Sequence, residues 1–311
     1  MSIKVFFNKV DQKLSIYRTN ISEWWGKMTN TLYYKIRFGG RFISVNCWVD
    51  QRCGRLKLRN LGDELNVFLV EALAGRPVVS TYSIFTSNKP NYMVIGSVID
   101  SDMINANSII WGAGTMWGDS RELKAKPLKV CATRGKLTQK YLASQGVESP
   151  DVYGDPALLM PLVYNPSVEK KYKLGVIPHV FDLHDPIVER LATLDKDVHI
   201  VPLENYKDWH HVIEEIKSCE FIISSSLHGL ILSDAYQVPN AWVKFSDRIH
   251  GGDYKYLDYF SGVNRQISKA FVVNEHTTIS EIYGLANSYE PIVFDSKKLL
   301  DACPFPIKLK Q

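Results

Sequence analysis

The chain has 311 residues, of which 45% are hydrophobic and 23% charged, and its formal net charge is +4. This composition excludes a disordered chain and leaves enough residues for two globular domains. No apolar run reaches the length of a membrane span, and five cysteines without CxxC spacing argue against a zinc site and for reduced thiols in a cytoplasmic protein.

The positive charge is concentrated at the N-terminus. Residues 1–60 carry twelve Lys and Arg against three acidic residues, a net charge of +9, and include Trp24 and Trp25. Basic and aromatic residues together suit an anionic membrane surface or nucleic acid, but no clean amphipathic period runs through 14–37. We expect residues 1–41 to form a basic aromatic extension, either solvated with its aromatics docked on its own domain or touching an anionic membrane. No nucleic-acid partner is predicted.

From residue 42 onward, strand patterns alternate with helix patterns. In the first half the predicted strands are 42–48, 77–80, 92–98, 108–111 and 128–132, and the predicted helices are 63–73, closed by Gly75, and 136–145, closed by Gly146. Residues 156–171 contain three prolines and little periodicity, which predicts a linker. The pattern then restarts, with strands at 173–177, 198–201, 221–224 and 240–243 and helices at 186–194, 209–217, 229–236 and 279–286.

Apolar strands separated by helix-length segments predict parallel sheets built from βαβ units. We therefore expect an α/β fold with two Rossmann-like, doubly wound domains facing a cleft. The first domain is predicted at 42–160 and the second at 161–311. Ligands of such sheets bind at the C-terminal ends of the strands, so the cleft is the expected site.

The turn at 224–229 is the most informative site motif. It reads Ser224-Ser225-Ser226-Leu227-His228-Gly229, between an apolar strand and an amphipathic helix. Free backbone N–H groups at a helix N-terminus bind anions, and a histidine there can move protons near neutral pH. The alternative is a serine-capped helix with an incidental histidine.

Other candidate binding residues follow predicted strands or open predicted helices. Near 60–64, Asn60 and Gly62 lie at the start of a predicted helix. Asp63 either caps this helix or faces the cleft as a base. The remaining candidates are Gly112 and Gly114, Arg134 with its anion-binding guanidinium, His179, and the cationic residues Arg248 and Lys255 of a polar loop. Neither a metal-ligand cluster nor a P-loop is apparent, so no metal and no cofactor is predicted.

Together these motifs resemble the polysaccharide pyruvyl transferase family. The matching segments are Asn60-Leu61-Gly62-Asp63, Gly112-Ala113-Gly114, Arg134-Gly135, Tyr153-Gly154-Asp155-Pro156-Ala157, Gly175-Val176-Ile177-Pro178-His179 and Ser225-Ser226-Leu227-His228-Gly229. Their order and spacing over roughly residues 45–262 carry the resemblance, and the first 40 residues lie outside it. Many members have an arginine where this chain has Ser226, so Arg248 or Lys255 is expected to supply that cation.

The resemblance implies a GT-B-like arrangement and transfer of an enolpyruvyl group from phosphoenolpyruvate to a sugar diol, giving a pyruvate ketal and phosphate. It also implies that His228 is the catalytic histidine and that Arg134 binds an anion. We expect protonated His228 to be the acid and Asp63 the base. The acceptor is expected to be a polysaccharide or a lipid-linked oligosaccharide at the inner membrane face.

Two other functions remain open at this point. One is a GT-B glycosyltransferase that uses a nucleotide sugar, for which Glu204 is the available ribose-binding carboxylate. The other is a non-catalytic binder of anionic polymer that uses the basic segment.

Overall fold

The computed structural model describes residues 3–85 and 88–308, and the side chains from Ile21 onward. In chain order its helices are α1 (Ile3–Phe38), α2 (Leu61–Ala74), α3 (Lys136–Ser144), α4 (Pro186–Leu194), α5 (Trp209–Ser218), α6 (Leu227–Ala235), α7 (Tyr254–Gly262), α8 (Ile279–Gly284) and α9 (Ser296–Asp301). Its strands are β1 (Ile43–Val45), β2 (Gln51–Arg52), β3 (Arg55–Leu56), β4 (Val78–Ser80), β5 (Asn91–Met93), β6 (Ser108–Trp111), β7 (Lys129–Ala132), β8 (Tyr172–Ile177), β9 (Val198–Ile200), β10 (Cys219–Ser224), β11 (Asn240–Lys244) and β12 (Phe271–Val272).

Two parallel sheets flanked by helices form within the described residues, so the predicted α/β class is confirmed. Their strand orders are β4-β1-β5-β6-β7 and β12-β11-β10-β8-β9. Counted along the chain, both read 2-1-3-4-5, an order of doubly wound sheets in which the first and third strands are neighbours at the switch point. In the second sheet these neighbours are β8 and β10, whose last residues, Ile177 and Ser224, lie opposite each other.

Helix α2 forms where the sequence predicts it and is closed at both ends. The Asn60 side chain accepts a hydrogen bond from the Gly62 N–H at 3.0 Å, and Gly75 ends the helix in the left-handed conformation at φ 58°. Asn60, and not Asp63, is therefore the N-cap. The Asp63 carboxyl is left available for another role.

Two strands are much shorter than predicted. The expected strand at 42–48 ends at Val45. The expected strand at 92–98 ends at Met93. The Ile95 N–H then bonds to the Asn66 side chain of α2, and Gly96 turns with φ 106°. The chain therefore leaves the sheet toward the region where the two halves meet.

The N-terminal segment is a continuous helix, which the sequence did not reveal. The inner face of α1 is polar and aromatic: Asn30 donates to the carbonyl oxygens of Gln51 and Ser83, and Tyr34 is buried. An Asn and Tyr face gives no apolar period, which explains why periodicity missed the helix. None of the helices in the described ranges is both long enough and apolar enough to cross a membrane.

The two halves share a continuous interface. The Leu61 N–H donates to the Leu203 carbonyl oxygen at 2.8 Å, and the Tyr206 hydroxyl donates to Glu64 at 2.7 Å. A single cluster of buried apolar side chains also extends across both sheets. The segment predicted as a linker begins with a buried 3-10 helix, Pro156–Leu162, because its apolar side chains enter this core. Domain boundaries at 41/42 and 160/161 stay predictions.

Candidate active site

A cleft of about 200 Å³ lies where the switch points of the two sheets meet. The segments that follow β1 and β5 in the first half and β8 and β10 in the second half all contribute to it. Its lining consists of Trp48, Asn60, Asp63, Gly96, Ser97, Val98, Met116, Pro178, His179, Val180, Leu203, Glu204, Ser226, Leu227, His228 and Lys255. Six residues predicted from sequence, four of them with titratable side chains, are therefore brought together: Asn60, Asp63, His179, Ser226, His228 and Lys255.

The serine turn divides its three hydroxyls between structure and site. Ser224 holds the turn by donating to the carbonyl oxygens of Ile177 and Ser226, both at 2.8 Å. Ser225 donates to the buried carboxylate of Asp182 at 2.8 Å. Ser226 is the N-cap residue of α6, lines the cleft, and makes no capping bond to the helix. The uncapped first turn of α6 thus faces the cleft with its N–H groups, as an anion site requires.

His228 lies in the first turn of α6, and its buried Nε2 atom has no hydrogen-bond partner within the described part of the chain. Gly62 packs directly on the ring, since a Cβ at residue 62 would overlap the imidazole. Burial, together with the nearby charges of Arg134 and Lys255, lowers the pKa of His228 to about 3. The imidazole is therefore neutral at pH 7, and an unsatisfied buried nitrogen marks a place for a ligand atom.

Asp63 approaches the same cleft from the first turn of α2. Burial, with a smaller contribution from the adjacent carboxylates of Glu64 and Glu204, raises the pKa of its carboxyl to about 7. Glu204 reaches this position because its backbone forms an antiparallel bridge with Asn60. About half of the Asp63 carboxyl groups are therefore protonated at pH 7, which is unusual for an aspartate.

Lys255 is the cation that faces the cleft. It is only 7% exposed, and no carboxylate in the described part of the chain forms an ion pair with it. Its ammonium lies 5.3 Å from the centre of the neighbouring Tyr256 ring. Burial, together with the charge of Arg134, lowers the pKa of Lys255 to about 8. A nearly buried cation without a counter-ion is costly, and an anionic ligand would offset that cost.

Arg134 lies behind the wall of the cleft. Its guanidinium is fully buried, pairs with Asp258 at 2.8 Å, donates to the Thr115 carbonyl oxygen at 2.7 Å and also bonds the Ser97 hydroxyl. Its charge is compensated within the protein, and Ser97 is the group through which it reaches the cleft.

Of the remaining predicted residues, Gly112, Gly114 and Arg248 lie outside the lining of the cleft and His179 lies in it. Gly112, at φ 87°, packs on Pro156, and Gly114 packs on the Arg134 guanidinium. Arg248 is half exposed and pairs with Asp185 from the loop between β11 and α7. Lys255, which was expected in the same polar loop, lies instead in the first turn of α7. His179 does line the cleft, where burial lowers its pKa to about 3, and it caps a short 3-10 helix, Val180–Asp182.

Sequence reasoning missed Trp48 and Ser97, and it gave Glu204 a role only in the glycosyltransferase alternative. Trp48 and Ser97 follow β1 and β5, the two neighbours at the switch point of the first sheet. The order of the strands in the sheet would have identified both residues, but that order cannot be predicted from a single sequence. In the described residues, no group of three or more His, Cys, Asp or Glu side chains is arranged to hold a metal ion.

Comparisons with known proteins match this region. A family model described as polysaccharide pyruvyl transferase matches residues 60–247. The chain is 31% identical over 220 residues to the uncharacterized protein L143 of Acanthamoeba polyphaga mimivirus, covering 68% of this chain and 74% of that one. It is 26% identical over 210 residues to the succinoglycan biosynthesis protein ExoV of Rhizobium meliloti (strain 1021), covering 64% of this chain and 60% of ExoV.

Proposed function

The chain belongs to the polysaccharide pyruvyl transferase family, and on that premise we propose that it moves an enolpyruvyl group from phosphoenolpyruvate to a sugar diol. The products are a cyclic pyruvate ketal and phosphate. The family match covers the cleft residues from both halves, Asn60 through His228. Enzymatic pyruvyl transfer is thus the premise, and the donor, the ketal chemistry and the residue roles are the proposal.

One observation carries the choice of donor. The nearly buried ammonium of Lys255 has no counter-ion among the residues that the structure describes, and it lines the same cleft as the uncapped N-terminus of α6. Phosphoenolpyruvate carries a phosphate and a carboxylate, which are the ligands that such groups bind. Lys255 therefore supplies the cation that many family members place at the position of Ser226. Arg248, which is paired on the outer loop, does not fit this role as well.

The pKa directions support the opposite division of roles from the one predicted from sequence. Burial holds His228 neutral and raises the pKa of Asp63 to about 7, so that a large share of its carboxyl groups is protonated near neutral pH. A bound anion raises both pKa values, but the dominant contribution to His228, burial of its ring, stays in place. Asp63 is accordingly the acid and His228 the base. When their environments shift the pKa values of two neighbouring groups in opposite directions, the group that holds its proton acts as the acid and the other as the base.

The proton balance of the reaction closes with these two groups. The Asp63 carboxyl protonates the methylene carbon of the donor, and the first sugar hydroxyl adds to the resulting oxocarbenium carbon while His228 Nε2 accepts its proton. Phosphate then leaves with that proton. The second hydroxyl closes the ring and returns its proton to the Asp63 carboxylate. Both side chains end in the state in which they began, and phosphate leaves as hydrogen phosphate.

We also propose a GT-B-like division of labour, in which residues 161–311 bind the donor and residues 42–160 the acceptor. The fold supports this through the two doubly wound strand orders. The relative named for succinoglycan biosynthesis supports a polysaccharide acceptor.

The acceptor is proposed to be lipid-linked and presented at the inner, cytoplasmic face of a membrane. An exposed apolar stripe runs along α1 and supports this location. Its residues recur at helical spacing and are 44–75% exposed: Ile21, Trp24, Trp25, Leu32 and Ile36. The surrounding segment, residues 1–60, has a net charge of +9, which attracts anionic lipid.

The test is to incubate the purified protein with phosphoenolpyruvate and a panel of galactosides, glucosides and mannosides and to follow phosphate release. Acceptor-dependent release is expected for at least one diol. A parallel thermal-shift screen compares phosphoenolpyruvate with nucleotide sugars. Stabilisation by a nucleotide sugar alone would favour a glycosyltransferase and contradict the proposal.

A further inference from the structure

Trp48 separates the cleft from a second, larger cavity. The cleft holds about 200 Å³, whereas the second cavity holds about 680 Å³. We call the second one the outer cavity; it is lined by Trp48 and by polar side chains that include Ser101, Asp102, Arg121, Glu122 and Lys124. Pockets that bury a ligand of drug or cofactor size usually measure about 300–1,000 Å³. The cleft is below that range and the outer cavity within it.

The Trp48 ring is exposed although its neighbours in the chain are buried. Trp48 is 54% exposed, whereas Cys47 and Val49 have almost no exposure. The backbone is anchored here because the Ser80 hydroxyl donates to the Cys47 carbonyl oxygen at 2.6 Å. The Tyr82 ring, itself 43% exposed, lies 5.6 Å away. The Trp48 ring is thus partly exposed where it lines both the cleft and the outer cavity, and the Tyr82 ring lies beside it.

The outer cavity carries charges of both signs. Its lining has two cations, Arg121 and Lys124, and three carboxylates, Asp100, Asp102 and Glu122. The Asp100 carboxylate accepts hydrogen bonds from the backbone N–H groups of Met116 and Trp117, and the Asp102–Lys124 pair is solvent-exposed at 3.8 Å. Such surface pairs contribute little stability, so their donors and acceptors are available to a ligand. A lining with both signs suits a neutral ligand rich in hydroxyl groups better than it suits a phosphate or a nucleic acid.

We propose that the outer cavity binds the sugar units of the acceptor that adjoin the modified one, and that the Trp48 ring supports the sugar at the junction. An aromatic ring presents an apolar face to the C–H face of a pyranose, and the polar lining serves its hydroxyls. The proposal rests on the proposed function for the identity of the ligand. It adds that the enzyme recognises an oligosaccharide, not a single sugar.

The experiment measures oligosaccharide binding without phosphoenolpyruvate, by saturation-transfer NMR on the full chain with short galacto-, gluco- and manno-oligosaccharides. At least one is expected to bind the wild type, and Trp48→Ala is expected to weaken that binding about tenfold. Trp48→Phe, which keeps a ring, should retain most of it. Leu128→Ala is the matched control, because Leu128 is 58% exposed in the same half and lines neither cavity.

Four results bear on the proposal or on the proposed function. Absence of binding by the wild type at millimolar oligosaccharide, or equal binding by wild type and Trp48→Ala, overturns it. Arg121→Ala gives an independent test should Trp48→Ala fail to fold, and unchanged binding by that variant also overturns it. Because donor is omitted, failure of pyruvyl transfer would refute the proposed function while leaving a Trp48-dependent binding site intact.

Discussion

Gly62 and His228 are in contact across the cleft. Gly62 belongs to the first turn of α2, and the imidazole of His228, in the first turn of α6, occupies the space that a side chain at residue 62 would need. The contact brings two helix N-termini together, one from each half. It also places Asp63, the next residue along α2, on the same cleft as the imidazole.

Gly62→Ala is expected to lower kcat about 100-fold, because the added methyl must displace the ring from its position against the substrate. Steady-state kinetics with a working acceptor measures this. Gly284→Ala is the matched control: Gly284 also lies in a helix, but no described atom beyond its chain neighbours and its own helix backbone lies within 4 Å of the place where its Cβ would be. Equal kcat values for Gly62→Ala and the control would show that the contact has no catalytic consequence.

Lys255→Met is expected to raise the KM for phosphoenolpyruvate about 10- to 100-fold, the usual effect of losing a hydrogen bond to a charged group. The pKa of Lys255 is lowered to about 8, so the ammonium is present below that pH and is lost above it. Wild-type kcat/KM for the donor should therefore fall as the pH rises through about 8, and the variant should lack this step.

The control for Lys255 is Lys297→Met, which removes a lysine that is exposed and paired with Asp301 in α9. It should behave as the wild type. A pH profile that is identical in wild type and Lys255→Met would mean that another cation binds the donor.

Asp63→Asn is expected to stabilise the fold at alkaline pH while impairing turnover. The pKa of Asp63 is about 7 in the folded protein against the ordinary 3.8. The protonated carboxyl therefore makes its whole contribution to the free energy of unfolding below about pH 4, and this contribution is lost as the pH rises through 7. The variant carries no charge at any pH. Its melting temperature at pH 8 should exceed that of the wild type by about 2–4 °C, with a smaller difference at pH 4.

Differential scanning calorimetry at both pH values makes the comparison. A melting temperature that is lower for Asp63→Asn than for wild type at pH 8 would show that the carboxylate is stabilising and that its burial does not dominate.

Membrane contact through α1 predicts that the protein floats with anionic liposomes at low salt and less well at high salt. Replacing both Trp24 and Trp25, which are about half exposed, by Ser should reduce flotation several-fold. Leu194→Ser removes an exposed apolar side chain from α4 and should have no effect. Failure of the wild type to float at low salt would end this part of the account.

The parts of the fold that are legible in the sequence are those set by local chemistry. The apolar run at 221–224 followed by serines and an amphipathic segment predicts β10, the turn and α6, and Gly75 predicts the end of α2. Helix α1 is not legible, because its inner face is carried by Asn30 and Tyr34, whose hydrogen bonds and packing depend on distant residues.

The candidate site could be predicted residue by residue but not as an arrangement. Asp63 and His228 are separated by most of the chain, and only the strand orders of the two sheets bring them to one cleft. Their protonation states could not be predicted either. Burial decides both pKa values, and burial depends on the whole fold.

The most direct test of the central claim is a reaction in D₂O with ¹³C-labelled phosphoenolpyruvate, followed by ¹³C and ³¹P NMR, for the wild type and His228→Gln. We expect the wild type to form a ketal whose methyl group carries one deuterium, with an equal amount of phosphate. The variant should remain folded and be slower by a factor of about 10² to 10⁴. Phosphate release without a labelled ketal, or full turnover by His228→Gln, would contradict the account.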